Sequence, residues 1–181
     1  MKEIIILKIG GSLITEKGKD VPTINYANLK RLAKEVGDAY KEGTFALVFV
    51  HGVGSFGHVI VKKTGINNGI TTESQLIDFA ETERLQNELN VEVCKEFIKN
   101  KVPAMPIQAS ATAIMDAKKF EGMDTKAIKG MIEIGLVPTL YGVPAYDKKQ
   151  GCSILSGDDI CTYLSKEFNA KRLIHATDVG G

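Results

Sequence analysis

Ile4-Ile5-Ile6-Leu7-Lys8-Ile9-Gly10-Gly11-Ser12 opens the chain, and a second aliphatic run, Phe45–Val50, discharges into His51-Gly52-Val53-Gly54-Ser55-Phe56-Gly57-His58. Continuous apolar runs that end in glycines mark strands buried on both faces, as in a parallel sheet covered by helices. Between the two, Asn25–Lys41 carries Leu29, Leu32, Ala33, Val36 and Tyr40 at helical spacing, and Gly43 stops it. This β-α-β order predicts an α/β fold with a mainly parallel open sheet sandwiched by helices.

The same reading extends down the chain. Thr72 followed by Gln75 predicts a capping box for a long helix reaching Lys99, with Leu76, Ala80, Leu85, Leu89, Val93 and Phe97 as its core stripe. Pro103–Ile107, Leu136–Tyr141 and Arg172–Ala176 read as strands. Asp124–Ile134 reads as a short helix capped by Asp124 and closed by Gly135, and Asp158–Phe168 as another. Val143–Tyr146 and Cys152–Leu155 flank a turn sequence and predict a hairpin.

Composition excludes several classes. Twenty-three Lys and Arg against 22 Asp and Glu give a formal charge of +1, so no broad basic face exists for a nucleic-acid backbone, and any anion is held locally. No apolar run reaches membrane-spanning length. Cys94, Cys152 and Cys161 have neither disulfide-framework nor zinc-site spacing, which fits a reducing cytoplasm, and the first residues lack a signal peptide's apolar stretch.

The glycine loops carry the chemistry. Glycines after a strand let backbone N–H groups converge on an anion with no Cβ in the way. Lys8 lies in an otherwise aliphatic strand, where burial is costly unless its ammonium meets an anion. Gly52-Val53-Gly54-Ser55-Phe56-Gly57 satisfies G-x-G-x-x-G, yet it follows the second strand and lacks the acidic residue a dinucleotide site needs; no Walker A sequence occurs either. His58, directly after the last glycine, is placed to donate to a phosphate. His51 reads as structural and His175 as a packed core residue. In Ser156-Gly157-Asp158-Asp159 an aspartate serves either as a helix cap or as a partner for Lys8 and Lys17; the residues alone leave both open.

Together, Lys8-Ile9-Gly10-Gly11-Ser12-Leu13-Ile14-Thr15, the Gly-Ser-Phe-Gly-His segment ending at His58, Ser156-Gly157-Asp158-Asp159 and Ala176-Thr177-Asp178-Val179 resemble the amino acid kinase superfamily, and within it the archaeal-type isopentenyl phosphate kinase branch. The resemblance runs from Ile4 to Gly181. It implies transfer of the γ-phosphoryl of ATP, with Mg2+, to isopentenyl phosphate. It also implies that Lys8, Lys17, His58 and Asp158 are catalytic; that Gly52, Gly57, His58 and Gly157 hold the acceptor phosphate; and that Lys8, Gly10, Gly11, Val53 and Asp178 line the ATP phosphates. No protein metal site is implied. The family commonly forms homodimers. An apolar slot for the prenyl tail is expected around Leu76, Phe79 and Ala80. A phosphonate kinase of fosfomycin type and a non-catalytic acceptor-binding module are the competing readings.

Three departures from the family pattern stand out. Val53 occupies a position that is usually Gly or Ala, and Gly180 one that is commonly acidic. Family members also continue beyond the end of this sequence with an adenine pocket and a further lysine. On this reading residues up to about 155 form the acceptor part of a single kinase domain and 156–181 begin an incomplete nucleotide lobe. Taken as complete, such a chain is expected to bind ATP weakly and to expose apolar surface.

Overall fold

A computed structural model describes residues 2–16, 19 and 21–177. The opening aliphatic run is β1 (Glu3–Ile9), followed by a single turn α1 (Gly11–Ile14) and the crossover helix α2 (Tyr26–Lys41). Then come β2 (Phe45–His51), α3 (Ser55–Thr64), the long α4 (Ser74–Lys99), β3 (Ala104–Pro106), β4 (Ala113–Asp116) and β5 (Lys119–Met123). The remainder is α5 (Lys126–Glu133), β6 (Val137–Tyr141), β7 (Val143–Asp147), β8 (Gly151–Leu155), α6 (Gly157–Glu167) and β9 (Arg172–Ala176).

Five strands form a sheet in the order β3-β6-β2-β1-β9, every pairing parallel, as the sequence predicts. One apolar cluster fills the face under α2 and α4, with Leu29, Leu32, Phe49, Leu89, Val93 and Phe97. A second lies under α5 and α6, with Ile6, Val48, Val50, Ile128, Ile160 and Leu164. The β1 and β2 residues alternate between these two clusters, which is why both strands are apolar throughout. The Phe49 and Phe97 rings sit 4.5 Å apart between centroids, sheet to helix, and Phe97→Ala would cost about 3–5 kcal/mol.

At Gly142 the chain leaves β6 and enters a second sheet, β5-β4-β7-β8, whose β7–β8 hairpin was expected and whose β4–β5 hairpin was not. Its turn residues Ala117 and Lys118 both have positive φ, at 49° and 67°, without the Asn or Gly that announces such a turn. One helical expectation needs correction. Gln75 Oε1 accepts from the amides of Thr71 and Thr72, as in a capping box, but the first turns of α4 leave Leu76 and Ala80 exposed. The core stripe begins only near Leu85, because the amino-terminal part of α4 reaches past the sheet.

Candidate active site

The carboxyl ends of β1, β2 and β9 are stitched together: Gly10 N donates to Ala176 O (2.9 Å) and Gly52 N to Ile9 O (2.8 Å). Above them the two glycine loops touch. A Cβ on Gly11 would fall on the backbone of Gly54, and Gly54 itself has φ +47° with Gly11 and Thr15 against it, so neither position tolerates a side chain. Thr15 fastens the loops from the side. Its Oγ1 donates to Gly11 O (2.9 Å) and accepts from Ser55 N (3.2 Å), a role no sequence signal announced.

These loops wall a cleft of ≈ 840 Å³. The β1 loop contributes Lys8, Gly10 and Gly11; the β2 loop and the first turn of α3 contribute Gly52, Val53, Gly57 and His58; the start of α6 contributes Gly157 and Asp158. Every described residue of the expected set therefore faces one space. Lys17 and Asp178 lie outside the described residues.

Lys8 is largely buried, and its Nζ lies 3.1 Å from Asp158 Oδ1 and 3.2 Å from Oδ2. The choice between cap and partner for the two aspartates is thereby resolved. Ser156 caps α6: its Oγ accepts from Asp159 N (3.0 Å) and donates to Asp159 Oδ2 (2.6 Å). Asp159 is occupied at the cap, and Asp158 turns to the lysine. His175 departs from its expected place in the core. It sits on the last strand of the sheet order, its side chain is 41% exposed, and its Nδ1 is 3.2 Å from the same Asp158 Oδ1.

His51, in contrast, is structural. It is fully buried, stacked on Tyr141 (5.6 Å between centroids, 17° between planes), with Nε2 3.1 Å from Asn90 Oδ1. Burial lowers its pKa against the opposing pull of its hydrogen bonds to Gly52 O and Asn90, so it is held neutral. Behind it, the Tyr141 hydroxyl donates to Glu83 Oε1 at 2.8 Å, and burial raises the pKa of Glu83. Burial likewise pushes the Cys94 thiol up to about 11 and Cys152 and Cys161 to about 12, which removes all three as nucleophiles at neutral pH.

Two details of the expected phosphate cradle differ. The amide of Gly52 is taken by Ile9 O, and those of Gly57 and His58 by Gly54 O (3.2 and 3.1 Å). Among the described residues no hydrogen bond occupies the amides of Gly11, Gly54 or Gly157, and these are the glycine donors left for an anion. The apolar wall also differs from the expected one. Leu76, Phe79 and Ala80 take no part; Val53, Val59, Val61, Ile154 and Leu155 form it, with Gln86 from the middle of α4.

The sequence profile of the amino acid kinase family matches residues 3–181. The chain belongs to this family. Its relatives include isopentenyl phosphate kinase of Methanothermobacter thermautotrophicus, 36% identical over 98% of this chain and 68% of that protein. The isopentenyl phosphate kinase of Methanocaldococcus jannaschii is also 36% identical, over 98% of this chain and 70% of its own length. An X-ray structure of an isopentenyl phosphate kinase superposes with a TM-score of 0.92 at 35% identity, covering 98% of this chain and 73% of that one. Such identity and coverage place the chain on the isopentenyl phosphate kinase branch of the family. No helix among the described residues is long and apolar enough to cross a membrane.

Proposed function

We propose that this protein transfers the γ-phosphoryl group of ATP to isopentenyl phosphate, giving isopentenyl diphosphate and ADP. The observation that carries this reading is the pairing of Lys8 with Asp158 at the floor of a glycine-walled cleft that also holds His58. An ammonium fixed by a carboxylate at a strand end is a preorganised positive charge, and phosphoryl transfer is accelerated chiefly by positioning and by such charges.

The acceptor is already an anion, so no strong general base is needed. His58, at the start of α3, donates to the acceptor phosphate with the helix N-terminus behind it. Lys8, held by Asp158, stabilises charge on the oxygens of the transferring group, and Lys17 is assigned the same task by the family pattern. The free amides of Gly11 and Gly54 cradle the nucleotide phosphates alongside Gly10 and Val53, with Asp178 assigned to the nucleotide loop, while that of Gly157 faces the acceptor side with Gly52 and Gly57. Mg2+ fits here as the nucleotide's own counter-ion, since it keeps phosphate and water ligands rather than needing a protein cage, and when bound it neutralises phosphate charge. The apolar wall of Val53, Val59, Ile154 and Leu155 takes the tail.

On this reading residues up to about 155 bind the acceptor and those from 156 onward begin the nucleotide side. Three buried free cysteines suit a cytoplasmic enzyme, and a homodimer is the expected state, checked by sedimentation. Incubation with ATP, Mg2+ and isopentenyl phosphate tests the activity: isopentenyl diphosphate should form, and fosfomycin should remain unmodified. Phosphorylation of fosfomycin in preference to isopentenyl phosphate would overturn the assignment.

A further inference from the structure

Gln86 is 2% exposed, lines the cleft beside the apolar wall, and among the described residues its Oε1 accepts no hydrogen bond. Its Nε2 lies so close to the first turn of α3 that a Cβ on Gly57 would come within 2.8 Å of it, and the same position would fall against Val53 Cγ2. The amide therefore packs where Gly57 lacks a side chain, next to the residues assigned to the acceptor. A buried amide end with no partner is disfavoured relative to an apolar side chain of similar size. Turning the amide by 180° exchanges its oxygen and nitrogen. A hydroxyl can donate to the oxygen or accept from the nitrogen, so it can pair with whichever amide end faces the cleft.

We propose that Gln86 is a specificity-determining residue of the acceptor pocket, suited to short branched alkyl phosphates whose tail carries a hydroxyl. This rests on the phosphoryl-transfer reading above and extends its acceptor class. An all-hydrocarbon tail leaves the amide unmatched, whereas a hydroxylated tail of the same length pairs with it. A pocket that hydrogen-bonds its substrate discriminates against analogues lacking the group, while an apolar pocket discriminates far less.

The test measures kcat/KM of the full-length protein, with ATP and Mg2+, for isopentenyl phosphate and for 3-hydroxy-3-methylbutyl phosphate, in the wild type and in Gln86→Leu. The hydroxylated-to-isopentenyl ratio should fall by about tenfold or more in the variant. Because each ratio is taken within one protein, partial misfolding cancels. A smaller change, as when a water molecule satisfies the amide, overturns the proposal. Calorimetry on the wild type supplies a second measurement that needs no variant and no turnover. The hydroxylated ester should bind at least as tightly as 3-methylbutyl phosphate despite its less apolar tail, and weaker binding would overturn the proposal. Absence of turnover with both esters would instead refute the kinase reading, with the calorimetric comparison still deciding the role of Gln86.

Discussion

Lys8 and His175 face each other on the neighbouring parallel strands β1 and β9 and approach the same carboxylate oxygen of Asp158, at 3.1 and 3.2 Å. The carboxylate is more than half exposed, so its worth lies in orientation rather than in stability. Asp158→Asn should lower kcat by about tenfold or more with little change in acceptor affinity, since it loosens a charge that matters most in the transition state. His175→Leu should lower kcat by about twofold to threefold, and His175→Asn, which keeps a donor near the Nδ1 position, should restore it. Steady-state kinetics with separate kcat and KM values checks both. An unchanged kcat in His175→Leu would leave the imidazole a bystander.

His58 is assigned to the acceptor, so its loss should appear in binding rather than in fold. His58→Ala should raise the dissociation constant for isopentenyl phosphate about tenfold to a hundredfold, the range for a donor to a charged oxygen. The ring is exposed on the first turn of α3, so the melting temperature should move little. Calorimetric titration of wild type and variant measures the difference, and equal affinities would remove His58 from the site.

Much of this site was legible because strand-to-glycine junctions are written locally. Ile4–Ile9 and Phe45–Val50 fix where β1 and β2 end, and a parallel sheet brings those ends together. Lys8 was found by the cost of burying an ammonium, which Asp158 offsets. The missed features depend on contacts distant in sequence. Thr15 bridges two loops and Gln86 crosses from α4 to α3, and neither residue type nor spacing signals such a bridge. His175 lies outside the core because β9 ends the strand order, a position its own sequence does not announce. Helix α3 was obscured by glycines that read as loop, although Gly54 provides its entry and Gly65, at φ +70°, its exit.

The β4–β5 turn holds a stability gain within reach. Ala117 and Lys118 adopt positive φ, which strains a residue with a Cβ, and Asn-Gly suits this turn geometry. Replacing the pair by Ala117→Asn and Lys118→Gly should stabilise the protein by about 1 kcal/mol. The exposed hydrogen bond from Lys118 Nζ to Asn68 Oδ1 is given up. Urea unfolding should show a higher midpoint with the same slope, and a lower midpoint would mean that the turn is not strained.

The same turn is anchored by Asp147, a fully buried carboxylate. Its Oδ1 accepts from the amides of Ala117 (3.1 Å), Lys149 (2.9 Å) and Gln150 (3.2 Å), and Oδ2 from Lys118 (2.8 Å). Burial alone would raise the pKa of this group, but the amides of Lys118, Lys149 and Gln150 outweigh it and hold the carboxyl below the ordinary range. A carboxylate with a depressed folded-state pKa adds stability above the unfolded value of about 3.9, and that contribution disappears as pH falls below it. Asp147→Asn keeps one acceptor and loses the charge, so at pH 7 it should be less stable by about 2 kcal/mol. Below pH 4 the gap should narrow, because the wild-type carboxyl is then taking up its proton as the protein unfolds. Urea midpoints of both proteins between pH 7 and pH 2 test this, and a constant difference across that range would show that the charge on Asp147 contributes nothing.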